Sequence, residues 1–129
     1  MKYVYQHFDP ASPHSPAIIC MPGAYIGDIG QLLGFVPKGI SHINLHIGTN
    51  DLATTDALTA FDRYVALIDR IRHKRPDITI MFATLVFPRA PNERLRRHNW
   101  LSLRRFNFEA RELNVRLLNL CRDREDVFK

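Results

Sequence analysis

Short apolar segments alternate along the chain with longer amphipathic ones. The segments Ala17–Met21, Ile43–Ile47 and Ile78–Thr84 have the length and residue types of β-strands. The first is apolar at consecutive positions, which is typical of a strand buried in a parallel sheet. Three prolines between Asp9 and Pro16 exclude regular structure from the segment before it, which is predicted to be a loop.

Three helices are predicted after these strands. The first is short and covers Asp28 to Leu33. The second is capped by Thr55 or Asp56 and ends at Pro76. Its apolar stripe is Leu58, Phe61, Val65, Ile68 and Ile71. The third is long, follows a loop through Phe87–Pro91, and suits a helix lying on a sheet, with a coiled coil as the alternative. Its apolar residues recur every three or four positions: Leu103, Phe106, Ala110, Leu113, Leu117 and Leu120.

The order of these elements predicts the fold class. Strands and helices alternate, and a last strand starts at Asp126–Lys129. This order predicts a three-layer α/β/α fold, with a parallel sheet and helices on both faces, in one domain over residues 1–129. No apolar run is long enough to span a membrane, and the N-terminus lacks the apolar stretch of a signal peptide. Cys20 and Cys121 have no metal or redox spacing, so we expect reduced thiols in an intracellular, cytoplasmic protein without a metal or cofactor.

The charge of the chain leaves two interpretations open. The formal net charge is +5, and most of the excess comes from arginines after Arg89. A basic surface can meet nucleic acid or an acidic membrane. The alternative is a solvated helix face on which arginines alternate with acidic residues. No nucleic-acid motif accompanies the charge, which favours the alternative.

Two turns fall where a ligand site is expected. In open parallel α/β sheets, ligands bind beyond the carboxyl ends of the strands. Pro22-Gly23-Ala24 leaves the first predicted strand, and Gly48-Thr49-Asn50-Asp51 leaves the second. A glycine N–H and an asparagine amide can together stabilise an oxyanion. The alternative is that glycine and asparagine serve only as ordinary turn residues.

Three segments resemble the SGNH/GDSL-type esterase (hydrolase) family. His46–Leu52, with the sequence HIGTNDL, is similar to block III, in which G-x-N-D follows an apolar strand. Met21–Ile29, with the sequence MPGAYIGDI, is similar to block II, in which a glycine precedes an acidic residue and a short helix. Phe87–Arg89 resembles the loop on the substrate side. The resemblance covers nearly the whole chain and implies a flavodoxin-like hydrolase fold with strand order 2-1-3-4-5.

The resemblance also assigns roles to residues. Gly23 would donate its backbone N–H to an oxyanion hole, and Asn50 would donate its side-chain amide. Gly48 would permit a close approach, and Asp51 would brace the turn. The substrate would be a carboxylester, as in the intact family. The residues expected beside that substrate are Gly48, Thr49, Asp51, Pro88 and Arg89.

The sequence departs from the family at both ends. Block I, the G-D-S segment with the nucleophilic serine, is absent, and so is block V, the D-x-x-H segment with the catalytic aspartate and histidine. We therefore expect an incomplete domain that is inactive as it stands. Four serines offer no replacement, because they lie in the proline-rich loop, before a strand on the side away from the site, or inside a helix: Ser12, Ser15, Ser41 and Ser102.

A second hypothesis is a non-catalytic module on the same fold. Esterase-like domains of this kind resemble those in the first protein of some non-LTR retrotransposons, which associate with RNA and self-assemble. The arginine-rich C-terminal third is consistent with such a role. A third hypothesis, a flavodoxin-like domain for a small phosphorylated ligand, lacks a glycine-rich phosphate loop.

Overall fold

The computed structural model describes residues 5–7, 18–20, 24–89, 100–124 and 127–128. The strands in this part of the chain are β1 (Tyr5–His7), β2 (Ile18–Cys20), β3 (His42–Leu45), β4 (Ile80–Ala83) and β5 (Val127–Phe128). The helices are α1 (Ile26–Ile29), α2 (Thr49–Thr54), α3 (Ala57–Lys74) and α4 (Trp100–Asp123). A 3-10 helix, Gly30–Phe35, follows α1 directly.

A parallel sheet of three strands forms the centre of the described fold. The strand order is β3-β4-β5, with His42 opposite Ile80 and Met81 opposite Val127. The mixed α/β class, the parallel sheet and the strand starting near the end of the sequence are therefore confirmed. β3 begins one residue before the predicted strand Ile43–Ile47 and ends two residues before its end. β4 covers only Ile80–Ala83 of the predicted Ile78–Thr84.

The first predicted strand pairs differently from the expectation. β2 lies antiparallel to β1, with Tyr5 opposite Cys20 and His7 opposite Ile18. The prediction of a parallel strand over Ala17–Met21 was wrong in its direction, and β1 was not predicted. A short apolar run does not specify strand direction, and a partner only a loop away along the chain permits the antiparallel arrangement.

The hydrophobic core lies on one face of the parallel sheet. Leu45, Met81, Ala83 and Val127 are buried in a single cluster with residues of all four helices. Parallel strands are almost always joined by right-handed crossovers, so two crossovers in the same direction, from β3 to β4 to β5, are expected to place their helices on the same face. His42 and Asn44 are exposed on the opposite face, and Ile80 and Phe82 are only half buried there. The described residues therefore show one of the two expected helix layers.

Local sequence accounts for the ends of α3 better than for its buried face. Asp56 caps the helix as predicted, since its carboxylate accepts the Thr59 N–H at 2.8 Å. Leu58, however, is 52% exposed, which overturns its place in the predicted stripe. The buried face is rotated relative to the prediction and consists of Ala57, Ala60, Tyr64, Leu67, Ile68 and Ile71. Small alanines at the contact let the helix approach its neighbours closely.

The helix boundaries elsewhere differ from the prediction in two places. The predicted helix Asp28–Leu33 is α1 followed by the 3-10 helix, which together begin earlier and end later. The turn after β3 is itself helical and forms α2, which was not predicted. The stripe predicted for α4 is confirmed: Leu103, Phe106, Ala110, Leu113 and Leu117 are buried, and Leu120 is partly buried. Among the described residues, no helix is both long and apolar enough to cross a membrane.

Candidate functional site

The Gly48 turn begins where β3 ends, at the carboxyl edge of the parallel sheet. Gly48 has φ 124° and ψ −19° and is the N-cap of α2. A Cβ atom at this position would lie 3.3 Å from Cγ2 of Val86 and 3.5 Å from Cδ2 of Leu113. Residues with a side chain rarely adopt this backbone conformation, so the turn depends on glycine for both its dihedral angles and its close packing.

Asn50 connects this turn to the one that contains the block II sequence. Its Nδ2 donates a hydrogen bond to the carbonyl oxygen of Ala24 at 3.1 Å. An asparagine amide has two protons, so this bond orients the group and leaves a second donor. Gly23, the expected backbone donor, lies outside the described residues, but its neighbour Ala24 is buried and accepts the bond from Asn50.

Asp51 also connects the two turns. Its side chain is fully buried, with 0% exposure. One carboxylate oxygen accepts the backbone N–H of Ile26 at 2.9 Å, and the other accepts Nη1 of Arg63 at 2.8 Å. The expectation that Asp51 braces the turn is consistent with these bonds. Sequence reasoning missed Arg63, because nothing in a one-dimensional pattern relates it to a residue twelve positions earlier.

The remaining residues of the two turns are also held by local hydrogen bonds. The backbone N–H of Tyr25 donates to Oδ2 of Asp28 at 2.8 Å, and the N–H of Asp28 donates back to the carbonyl of Tyr25 at 2.9 Å. Thr49 is half buried in the first turn of α2. Under the end of β3, the hydroxyl of Tyr64 donates to the carbonyl of Leu45 at 3.3 Å, and burial raises the pKa of that phenol.

The loop after β4 borders the Gly48 turn and is fixed by two asparagines of α4. Asn114 bonds to both the N–H and the carbonyl of Val86, at 2.9 and 2.8 Å. Asn107 bonds in the same way to Arg89, at 2.8 and 3.0 Å. The two amides replace the backbone partners that a further strand would provide. The two asparagines lie two helical turns apart beside the apolar stripe of α4, and this spacing is the sequence signal that could have identified them.

The side chains of this loop form an exposed aromatic and cationic surface. Phe87 is 70% exposed, and its ring centroid lies 6.1 Å from that of His46. Pro88 is exposed. The guanidinium of Arg89 lies over the ring of Phe106, 4.2 Å from its centroid, which orients the cation. The loop thus lies next to the turn that follows β3; its role beside a substrate stays a prediction.

One serine and histidine lie in contact, but far from Asn50. Oγ of Ser41 is 2.6 Å from Nδ1 of His42, at the amino end of β3. Asn50 follows the carboxyl end of the same strand, and four strand residues span roughly 13 Å. The pair therefore cannot deliver a nucleophile to a carbonyl bound at the Gly48 turn.

The geometry brings Asn50, Asp51 and the Ala24 turn together, and among the described residues no serine lies beside them. Comparison with protein-family models, curated proteins and solved structures finds no match to this chain.

Proposed function

We propose that this chain forms the oxyanion-binding part of an SGNH/GDSL-type carboxylester hydrolase domain. The observation that carries the proposal is the double connection between the G-T-N-D turn and the turn with the block II sequence. Asn50 bonds to the carbonyl of Ala24, and Asp51 bonds to the N–H of Ile26. The side chains of ordinary turn residues form hydrogen bonds within their own turn. These two side chains instead fix the distance between separate turns at one edge of the sheet.

The chemistry proposed for this edge is stabilisation of a tetrahedral oxyanion. When a serine attacks an ester carbonyl, the carbonyl oxygen gains negative charge, which hydrogen-bond donors placed in advance stabilise. The second amide proton of Asn50 and the backbone N–H of Gly23 would be those donors. The serine of G-D-S and the histidine of D-x-x-H are not in this sequence. By itself, therefore, the chain would bind a carbonyl group without hydrolysing an ester.

The full fold proposed is the three-layer α/β/α arrangement of that family. Parallel sheets are almost always covered on both faces, because their crossovers place helices there. The face that carries His42 and Phe82 is not covered by the described helices. A second helix layer on this face would complete the domain.

The proposal is tested with a chromogenic short-chain ester. We expect this chain to give background hydrolysis only. A longer protein, translated with coding sequence from both sides and containing G-D-S and D-x-x-H, should hydrolyse the ester by a serine-dependent route. In that protein Asn50→Ala should lower kcat by about 10²–10³-fold, the usual effect of removing one oxyanion donor. Asn119→Ala, at an exposed position of α4, is the matched control and should leave kcat unchanged.

Two results would contradict the proposal. Rapid hydrolysis by the short chain, blocked by a serine-directed inhibitor, would show that a nucleophile lies within these residues. Activity in the longer protein that is insensitive to Asn50→Ala would remove the role assigned to the G-T-N-D turn.

A second candidate function is RNA binding with self-association, as in the retrotransposon domains that the sequence resembles. Its specific support is the outer face of α4, where exposed residues recur every three or four positions. These are Arg104, Phe108, Arg111, Val115, Asn119 and Arg122. Cations that contact phosphates and an aromatic ring that stacks on bases are the groups that bind single-stranded RNA.

Fluorescence anisotropy with a labelled oligouridylate tests RNA binding: affinity should fall steeply with salt and should weaken in Arg104→Glu. Affinity that is independent of salt would exclude this function.

A further inference from the structure

An arginine of α3 reaches the buried carboxylate behind the candidate site. Arg63 has a side chain that is 44% exposed, yet its Nη1 lies 2.8 Å from Oδ1 of Asp51, whose side chain is 0% exposed. The ion pair therefore crosses from the surface to the core. It connects α3 to α2, in whose first turn Asp51 lies next to Asn50.

The buried carboxylate depends on a counter-charge to stay in place. Taking a carboxylate out of water is unfavourable unless its charge is paired and its oxygens are hydrogen-bonded. Arg63 supplies the charge at one oxygen, and the N–H of Ile26 supplies a neutral donor at the other. Without the arginine, Oδ1 of Asp51 would lose the partner that pairs its charge, and the side chain would turn towards water. That movement would weaken its bond to Ile26.

The same carboxylate fixes the position of Asn50 relative to the neighbouring turn. Asp51 holds Ile26, and Asn50 holds Ala24, two residues earlier along the same backbone. The two bonds join neighbouring residues of α2 to the same short segment, so a carboxylate that moves away from Ile26 weakens the constraint on Asn50. Arg63 takes no part in the bonds to Ala24 and Ile26. Its effect on them passes through Asp51.

We propose that Arg63 is a positioning residue of the oxyanion site, which keeps the Asn50 amide aimed by fixing the carboxylate of Asp51. This inference rests on the proposed function. It adds a residue to the proposed site that neither the G-x-N-D pattern nor the chain's resemblance to a hydrolase identifies. The bidentate geometry of a guanidinium is not needed here, because only one of its nitrogens contacts the carboxylate. Lysine should therefore replace arginine in part.

The first test measures the hydrogen bond to Ile26 in the chain itself. Amide hydrogen exchange, followed by NMR, should be about 10- to 100-fold faster at Ile26 in Arg63→Met, the effect of losing one hydrogen bond to a charged group. Exchange at Leu113, in the core of α4, should not change. Arg111→Met removes another exposed arginine and is the matched control. Arg63→Lys should restore most of the protection at Ile26, and it keeps the inference testable if the methionine variant does not fold.

The second test separates this inference from the proposed function. In the longer, active protein Arg63→Met should lower kcat at least tenfold with an unchanged KM, and Arg63→Lys should recover most of the loss. If Asn50→Ala lowers kcat but Arg63→Met does not, only the role of Arg63 is overturned. If neither lowers kcat, or if the longer protein is inactive, the proposed function fails and the positioning role falls with it. Unchanged exchange at Ile26 in Arg63→Met overturns the inference whatever the activity.

Discussion

Replacing Gly48 by alanine tests whether the turn after β3 depends on both its backbone angles and its close packing. At φ 124° a residue with a side chain is strained by about 1–3 kcal/mol. The added Cβ would also lie 3.3 Å from Cγ2 of Val86, closer than most real contacts, with buried Leu113 at 3.5 Å on another side. Because both neighbours are buried, overpacking adds about 1–3 kcal/mol.

The expected total is a loss of about 2–6 kcal/mol in the free energy of unfolding. For a chain of this length each kcal/mol shifts the melting temperature by about 3–5 °C, so Gly48→Ala should melt roughly 6–30 °C below the wild type. Urea titration followed by circular dichroism gives the free energy directly. The same change should move Asn50 and so reduce any binding at the site.

Two other glycines separate the contributions of strain and packing. Gly39 also has a positive φ, of 85°, but its Cβ would meet nothing within 4 Å, so Gly39→Ala should show the strain alone, about 1–2 kcal/mol. Gly34 has neither constraint, and Gly34→Ala should be neutral or more stable by about 0.4–1 kcal/mol. Gly48→Ala as stable as Gly34→Ala would refute the reasoning as a whole. Equality with Gly39→Ala would refute only the packing contribution.

Two further predictions concern pH and self-association. Hydrogen bonding from the Thr59 N–H lowers the pKa of Asp56 below its usual 3.8, so its stabilising effect should be complete above that pH and lost as the pH falls through the lower folded-state pKa. Asp56→Asn keeps a cap but does not titrate, so its acid unfolding should depend less on pH; an identical pH dependence would contradict this. Among the described residues, β3 pairs on one edge only, and no helix covers the sheet face with His42. Because unpaired strand edges associate with one another, we expect oligomers whose size grows with concentration in sedimentation velocity. A monomer at every concentration would contradict this.

The sequence alone predicted the features that depend on local spacing. The stripe from Leu103 to Leu117 is buried as predicted, because a helix returns to the same face every three or four residues whatever it packs against. Asp56 caps α3 because its carboxylate reaches an N–H three residues away. The strand at Val127–Phe128 was also predicted, from the apolar residues that follow the last helix.

Tertiary structure alone decided what depends on distant parts of the chain. The direction of β2 was set by its pairing with β1, and the exposed position of Leu58 by how α3 meets the sheet. The bond from Arg63 to Asp51 joins residues whose relation appears only when α2 and α3 pack. The G-T-N-D pattern indicated where a site should be, but the groups that hold it rigid come from other elements. A sequence pattern records local geometry, whereas a buried charge is stabilised by whichever neighbour the fold brings to it.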